Sequence, residues 1–309
     1  MNRKAKGRNK NVAIAKSRQW LDLPEEIWEN ILNRLGAIEI LENAQKVCTM
    51  WRRVFKDPFM WRIIDISNCR GLSDSNHFQK ICSHAVDRSQ GELVDIRLAF
   101  FATKESLAYV AERSRKLKRL RIAWCHSKLV PEVFVEVFQK LPLLEELSLT
   151  DTAITIKGIE ALGRFCPRLK SFELKNVSYD IKSIDKPNDE ALAIAKNLPA
   201  LHHLQLIGNS MTNVGLRAIL DGCPILVSLD LRGCFNVRLD KVLSSRISQQ
   251  IKDVKYPRDS LATSSTATFF RFVLCNLAVS FARWSQHGML TFEVEPSNMV
   301  AQKFSDCMI

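Results

Sequence analysis

Large apolar residues recur along the middle of the chain in the pattern L-x-x-L-x-L. Its first position falls at residues 93, 117, 144, 169, 201 and 226, and a degenerate copy, WRIIDI, begins at residue 61. The segments 147–169 and 204–226 also align with each other without a gap, and several Leu, Thr, Gly, Ala, Cys and Pro residues coincide. Alternation of apolar and polar residues over so few positions is typical of a β-strand. We therefore expect one short strand in each copy.

Between these strands, apolar residues three and four positions apart predict helices. The helical segments are ESLAYVAERSRKL, PEVFVEVFQKL, IKGIEALGRF, DEALAIAKNL and VGLRAILDG. A strand and a helix that recur with a period of about 20 to 29 residues form a leucine-rich repeat, and two longer spacings are assigned to insertions at 71–90 and 178–188. Such units stack because each buries its apolar residues only against its neighbours. The expected fold over residues 61–240 is therefore α/β, a solenoid with a curved parallel sheet on the concave side and helices on the convex side.

The chain contains nine cysteines, an odd number, and no C-x-x-C pair. This usage favours reduced, buried thiols over disulfides or a metal site. The ninth position of a leucine-rich repeat is Asn or Cys, and its side chain is expected to satisfy backbone groups in the turn after the strand. The residues at this position are Cys69, Cys125, Asn209 and Cys234, with Thr152 as a polar substitute, whereas Phe101 and Val177 break the rule in two repeats. Cys166 and Cys223 are expected to fill the step before a strand, so none of these cysteines is predicted to be a nucleophile or metal ligand.

A different periodicity precedes the repeats, between residues 20 and 60. Pro24 suits the first position of a helix, and an apolar stripe at Ile27, Ile31 and Leu35 follows it. A second helical periodicity runs through Ile40, Ala44, Val47, Trp51 and Val54. Two or three short helices cannot bury much apolar surface alone. Part of this surface is expected either to meet a partner protein or to pack on the following repeats.

The segments LPEEIWENILNRL, VCTMWRRV and DPFMW resemble an F-box, a small all-α domain. The matching residues are Leu23, Pro24, Glu25, Ile31, Leu32, Val47, Cys48, Trp51 and Trp61. The segment GAIEILENA departs from the family pattern, which usually has a proline-led turn there. The resemblance implies that an apolar helix surface binds a Skp-type adaptor and, through it, a cullin scaffold. The implied adaptor contacts are Leu23, Pro24, Glu25, Ile27, Ile31, Leu41, Val47 and Cys48. Trp51 and Trp61 are expected in the core because tryptophan supplies a large buried area.

Residues 20–240 as a whole resemble plant F-box proteins with leucine-rich repeats. The resemblance implies the substrate-recognition subunit of an SCF-type ubiquitin ligase, in which the repeats bind a target protein and the chain itself catalyses nothing. No paired carboxylates, glycine-rich phosphate loop or Cys–His pair indicates otherwise, and no cofactor is implied. The alternatives are a non-degradative scaffold or small-anion sensor that binds the adaptor, and an interaction solenoid with a basic tail.

Strand alternation predicts which side chains face a target on the concave side. The predicted target-binding residues are Arg97, Arg119, Arg121, Glu146, Glu173, Lys175, His203, Gln205, Asp230 and Arg232. Three of them, Arg97, Arg119 and Arg121, cluster on adjacent strands. They would bind an acidic or phosphorylated segment, or form a solvated strand edge partly neutralised by the glutamates. A nucleic-acid surface is not expected, because no aromatic residues interleave with these charges.

The net charge of +12 lies largely in the first 18 residues, which carry seven Lys and Arg and no acidic residue. Residues 1–19 are expected to be a disordered, solvated arm or, alternatively, a nuclear-import or nucleic-acid patch. The apolar window 269–284 is shorter than a membrane span and contains two arginines. We therefore expect a soluble protein of the nucleus, the cytoplasm or both, with no membrane partner. Residues 241–309 are expected to form a cap on the last repeat or a poorly ordered tail.

Overall fold

The computed structural model describes residues 35–67, 75–125, 129–176 and 186–261. These residues belong to two compact units, which divide between Phe172 and Glu173. Several sequence predictions fall outside the described ranges: the basic arm, the helix that begins at Pro24, Cys69, most of the second insertion and the apolar window 269–284. Within the ranges described, no helix is both long enough and apolar enough to span a bilayer.

From residue 35 onward, the described part of the first unit starts with four short helical segments. They are α1 (Ala37–Glu42), a 3-10 turn (Ala44–Lys46), α2 (Thr49–Val54) and a second 3-10 turn (Pro58–Trp61). The sequence predicted one helical periodicity from Ile40 to Val54. The structure corrects this prediction, because the segment is divided into α1, a 3-10 turn and α2. Cys48 has an extended backbone and caps α2, because its sulfur accepts a hydrogen bond from the Trp51 N–H. Asp57 caps the second 3-10 turn in the same way.

Strands and helices then alternate along the first unit. They are β1 (Ile63–Ile66), α3 (Ser75–Ser89), β2 (Asp95–Ala99), α4 (Lys104–Arg113), β3 (Arg119–Ala123), α5 (Val133–Phe138), β4 (Glu146–Thr150) and α6 (Ile156–Phe165). Strands β1 to β4 are parallel and lie in chain order. In their register Asp95 lies beside Arg119, which lies beside Glu146. The β5 strand (Ser171–Lys175) spans the division between the two units.

The first insertion predicted from the repeat spacing is in fact the helix of the first repeat. Helix α3 has 15 residues and buries Ile81, Cys82, Ala85 and Val86 on one side. Part of the spacing of 32 residues between the first two strands therefore reflects a helix of 15 residues, compared with ten in α4.

The second unit repeats the same alternation. It contains α7 (Asp189–Asn197), β6 (His203–Ile207), α8 (Asn213–Gly222), β7 (Ser228–Asp230), α9 (Lys241–Gln250) and β8 (Asp253–Lys255). Strands β6, β7 and β8 are parallel and follow chain order. The α9 helix lies in the segment where the sequence predicted a capping helix, and a further strand follows it. The β8 strand lies beyond residue 240, where the sequence pattern fades, and was not predicted.

Leucines of the repeat pattern fill the core between strands and helices, as predicted. Leu120, Leu147, Leu204 and Leu229 are almost completely buried. The fold class is therefore confirmed: a helical N-terminal segment precedes a leucine-rich-repeat solenoid of parallel strands and alternating helices.

The polar ninth-position residues among the described residues have the predicted role. The Cys125 thiol donates to the carbonyl of Ala123, and the Thr152 hydroxyl donates to the carbonyl of Thr150. In the second unit, Asn209 accepts from the N–H of Met211. The remaining member, Cys234, donates to the carbonyl of Leu206 at 2.8 Å. These side chains therefore satisfy backbone groups at the strand ends.

Candidate functional site

A small set of apolar residues stays on the surface of the N-terminal helices. Val47, which ends the first 3-10 turn, is 63% exposed, and Leu41 and Cys48 are partly exposed. Their neighbours Ile40 and Ala44 are buried. We call Leu41, Val47 and Cys48 the helical patch. The other predicted adaptor contacts lie outside the described residues; they are Leu23, Pro24, Glu25, Ile27 and Ile31.

The N-terminal helices are fixed to the first repeat through Trp61 and Arg88. Trp61 is buried, as predicted, and its indole N–H donates to the carbonyl of Phe55 at 2.9 Å. Arg88, on α3, donates to the same carbonyl at 3.1 Å and to the Gln45 side chain at 3.0 Å. Its guanidinium also lies 5.7 Å from the centre of a Trp61 ring, within the range of a cation–π contact. Trp51 is only half-buried.

The third, fifth and seventh residues of each leucine pattern form what we call the open face of the sheet. In the first unit this face contains the predicted arginine cluster. Arg119 and Arg121 both bind the carboxylate of Asp95, with Nε–Oδ2 and Nη1–Oδ1 distances of 2.7 Å. The hydrogen bond to Asp95 raises the pKa of Arg119 above its ordinary value. Arg121 also lies 3.4 Å from Glu146.

Arg97 differs from its two neighbours in exposure. Its side chain is 47% exposed, and its Nη1 lies 3.3 Å from Oδ2 of Asp65, which is 46% exposed. The other oxygen of Asp65 accepts from the backbone N–H and the hydroxyl of Ser67. An exposed pair of this kind is weak, because water screens it. Arg97 is therefore the guanidinium of the cluster that an incoming acidic group reaches most easily.

The structure brings the three predicted arginines together but does not make a basic patch of them. Three guanidinium groups face three carboxylates, so the cluster is close to electrically neutral. The sequence showed Glu146 as a neutralising residue, whereas Asp65 and Asp95 become partners only through the register of the strands. This geometry favours selective pairing with one acidic side chain over capture of a highly charged anion.

In the second unit the predicted target-binding residues fall into two classes. His203 is exposed and Gln205 is partly exposed, so both are accessible on the open face. Lys175 is buried beside Glu173, with its Nζ 2.8 Å from the carboxylate.

Asp230 and Arg232 are not accessible, which corrects the expectation from strand alternation. Each is only 2% exposed, and Arg232 Nη2 lies 2.6 Å from Asp230 Oδ2. The turn after β8 covers them, since Arg232 Nη1 donates to the carbonyl of Ser260 at 3.0 Å. These two residues form an internal ion pair of the second unit.

Sequence patterning did not identify Phe100 and Trp124, which immediately follow β2 and β3. Both rings are partly exposed and stack on each other, with a centroid distance of 6.5 Å and an interplanar angle of 14°. Both residues also have a positive φ, 69° and 59°. The only signal in the sequence is an aromatic residue at the eighth position of two successive repeats.

The buried cysteines are poor candidates for chemistry. Burial raises the pKa of Cys82, Cys166 and Cys234 to about 12, and that of Cys223 to about 11. A thiol with such a pKa is almost fully protonated at neutral pH and is a weak nucleophile. Among the described residues, no cluster of three or more His, Cys, Asp or Glu side chains has the arrangement of a metal site.

Comparison with known proteins gives two findings. The model of the F-box domain matches residues 20–63. The chain is also 48% identical over 252 residues to the F-box protein SKIP19 of Arabidopsis thaliana, covering 81% of each chain. It is 44% identical to two further Arabidopsis thaliana proteins. Putative F-box/LRR-repeat protein 22 is matched over 80% of this chain and 79% of its own length, and putative F-box/LRR-repeat protein 23 over 79% of this chain but 55% of its own length.

Proposed function

Because the chain belongs to the F-box/LRR-repeat family of plants, we propose that it is the substrate-recognition subunit of an SCF-type ubiquitin ligase. F-box domains generally bind Skp-type adaptors, and proteins of this type are generally non-catalytic substrate receptors. In this proposal the F-box segment binds the adaptor and, through it, a cullin. The repeats bind a target protein.

The observation that carries the proposal is the fixed attachment of the F-box helices to the first repeat. Arg88 joins α3 of the first repeat to the carbonyl of Phe55 and to the side chain of Gln45 in the F-box segment. A receptor works by holding a target lysine near a charged conjugating enzyme, which raises its effective concentration. A rigid connection between the two binding surfaces suits that role, because a loose one would dilute the effect.

The helical patch supports adaptor binding, and it provides a matched pair of variants. Val47→Asp places a charge where an apolar contact with a Skp-type adaptor is proposed, so co-purification of the adaptor should fall at least tenfold. Val130→Asp is the control, because Val130 is similarly exposed, at 59% against 63%, but lies outside the F-box match. Equal loss of the adaptor in both variants, or in neither, would refute a role for this patch. Pro24→Ala combined with Ile27→Asp tests the proposed contacts outside the described residues.

The degradative part of the proposal needs a separate measurement. Proteins captured on the unmodified chain and on the Val47→Asp variant should be identified by mass spectrometry, and their levels followed in plant cells. Targets of a ubiquitin ligase should accumulate when the variant replaces the original chain, because they are still bound but no longer reach the ligase. Unchanged levels would count against degradation and favour a scaffold.

We also propose that the protein acts in the nucleus, the cytoplasm or both. A fluorescent fusion with and without residues 1–18 tests this, since that segment carries seven basic residues and no acidic one. Cytoplasmic fluorescence that becomes nuclear only with the segment present would assign it to import. Localisation to a membrane or secretory compartment would contradict the proposal.

A further inference from the structure

The eighth residue of the leucine pattern has the same unusual backbone in five of the described repeats. The φ angle is positive at Phe100, Trp124 and Asp151 in the first unit and at Gly208 and Gly233 in the second. Each of these residues is the eighth in its leucine pattern. The N–H groups of Phe100, Trp124, Gly208 and Gly233 donate to a carbonyl of the next repeat or turn, for example Trp124 to Thr150 at 2.9 Å. A left-handed residue is therefore usual at this position, and Asn176, the eighth residue of the repeat that begins at 169, is the exception among the described repeats.

Glycine is the residue that adopts this conformation at the lowest cost, because a side chain crowds the backbone at positive φ. Gly208 and Gly233 follow the rule, whereas the first unit has two of the bulkiest residues there. The turn itself does not require an aromatic residue, since the second unit forms the same turn with glycine. Bulky residues kept in a strained backbone conformation are concentrated at functional sites.

The rings of Phe100 and Trp124 point away from the core. The next residue in each repeat is the buried one: Phe101 is 1% exposed and Cys125 is 0% exposed, whereas Phe100 and Trp124 are partly exposed. The two rings stack across neighbouring repeats and so present one continuous apolar surface at the carboxyl end of β2 and β3. We call Phe100 and Trp124 the aromatic pair.

The aromatic pair lies along the strands from the most accessible arginine. Arg97 precedes Phe100 by three residues, which corresponds to about 10 Å along a strand. Between them lie Ala99, which is 0% exposed, and its register neighbour Ala123, which is partly exposed. An extended peptide therefore has an apolar surface at one end of this path and a half-exposed guanidinium at the other.

We propose that the aromatic pair is the apolar anchor of the target-binding surface and recognises an extended protein segment. That segment carries a ring side chain, aromatic or proline, about three residues from an acidic side chain. The ring packs on Phe100 and Trp124, and the acidic side chain pairs with Arg97 in place of Asp65. This inference rests on the proposed function, because it assigns the residues by which the repeats select a target.

The test uses a phage-displayed library of random dodecapeptides, selected on the full chain bound to a Skp-type adaptor. Enriched peptides should contain a ring residue and an acidic residue about three positions apart. Phe100→Gly with Trp124→Gly should weaken their binding at least tenfold, and Trp124→Phe should retain most of it. Arg97→Gln should weaken the acidic peptides but not their Asn or Gln analogues. Ile156→Ala, which shortens an exposed apolar residue elsewhere in the unit, should change nothing.

Thermal stability separates recognition from a structural role. The double glycine variant relieves the strained backbone, so its melting temperature should equal or exceed that of the original chain, with adaptor binding unchanged. A fall of several degrees with peptide binding intact would make the rings structural and overturn the proposal. Failure to enrich any peptide, or equal binding to the glycine variant, would also overturn it. Neither result bears on the proposed ligase function, which fails if adaptor binding is absent or if target levels do not change in the Val47→Asp variant.

Discussion

The buried ion pair of the second unit gives a sharp prediction for stability. In Arg232→Met the Asp230 carboxylate keeps its burial but loses the guanidinium that contacts it through Nε at 2.9 Å and Nη2 at 2.6 Å. The nearest remaining cation is Lys255, at 3.7 Å and half-exposed. Removing one partner of a buried pair typically costs about 3–5 kcal/mol, because the other charge stays desolvated. We expect the free energy of unfolding of the second unit to fall by about that amount.

The double variant Asp230→Leu with Arg232→Met separates charge from packing. Both charges are then absent, and apolar residues of similar size often replace a buried pair with little loss. One backbone donor, the N–H of Arg232, loses its contact with Asp230 at 3.2 Å. A lost buried hydrogen bond costs about 1–3 kcal/mol. The double variant should therefore be more stable than Arg232→Met alone.

Hydrogen exchange in increasing urea, read by mass spectrometry on peptides from β6 to β8, is the suitable assay. It reports on the second unit without requiring the whole chain to unfold in one step. Arg246→Met is the control: it breaks an exposed pair with Asp221 and should cost less than about 1 kcal/mol. The reasoning is wrong if Arg232→Met costs no more than this control. It is also wrong if the double variant is as unstable as the single one.

Three further predictions concern local features. Gly208→Ala should destabilise the second unit by about 3 kcal/mol or more, measured by urea unfolding, because φ is 69° and a Cβ there would lie 2.0 Å from the Asn176 carbonyl oxygen. At pH 8, Cys166 should react with iodoacetamide on the order of 1,000-fold more slowly in the native than in the urea-unfolded chain, because burial raises its pKa from 9.0 to about 12. Burial also raises the pKa of Glu190, so its contribution to stability is present at low pH and is lost as pH rises through the folded-state pKa. Glu190→Gln, whose carbonyl still accepts from Asn209, should therefore raise the melting temperature at pH 7 but not at pH 4.

Each of these three predictions has a control within the same chain. Gly36→Ala should be tolerated, because φ there is −73° and the nearest atom to an added Cβ is 3.9 Å away. Partly exposed Cys48 should be alkylated in the native chain before Cys166 is. A pH-independent difference between Glu190→Gln and the original chain would show that the effect is not due to ionisation.

Periodicity located most of the fold, because burial determines both the pattern and the structure. The segment 156–165, predicted as a helix, is α6 to the residue. Helix α3 was missed because polar residues such as His77, Gln79 and Lys80 interrupt the apolar spacing early in the segment. The three residues of β8 are too few to show an alternation.

The candidate site was less predictable, since its properties depend on residues distant in sequence. Alternation placed Arg232 on the open face, but its burial is caused by a turn 28 residues later in the chain. Asp95 binds Arg119 and Arg121 only because β2 and β3 pair in one register. The aromatic pair gave no periodic signal, because its distinguishing property is a backbone angle rather than a side-chain spacing.

If the proposed ligase function holds, the contacts of Arg88 and Trp61 with the F-box segment have a geometric consequence. If the F-box cannot swivel on the first repeat, the strand to which a target binds sets its distance from the conjugating enzyme. Neighbouring strands lie about 4.8 Å apart. A target that binds one repeat further along the first unit would therefore be displaced by about that distance. Moving a recognition residue to the next repeat would shift the ubiquitinated lysine by a comparable step along the target.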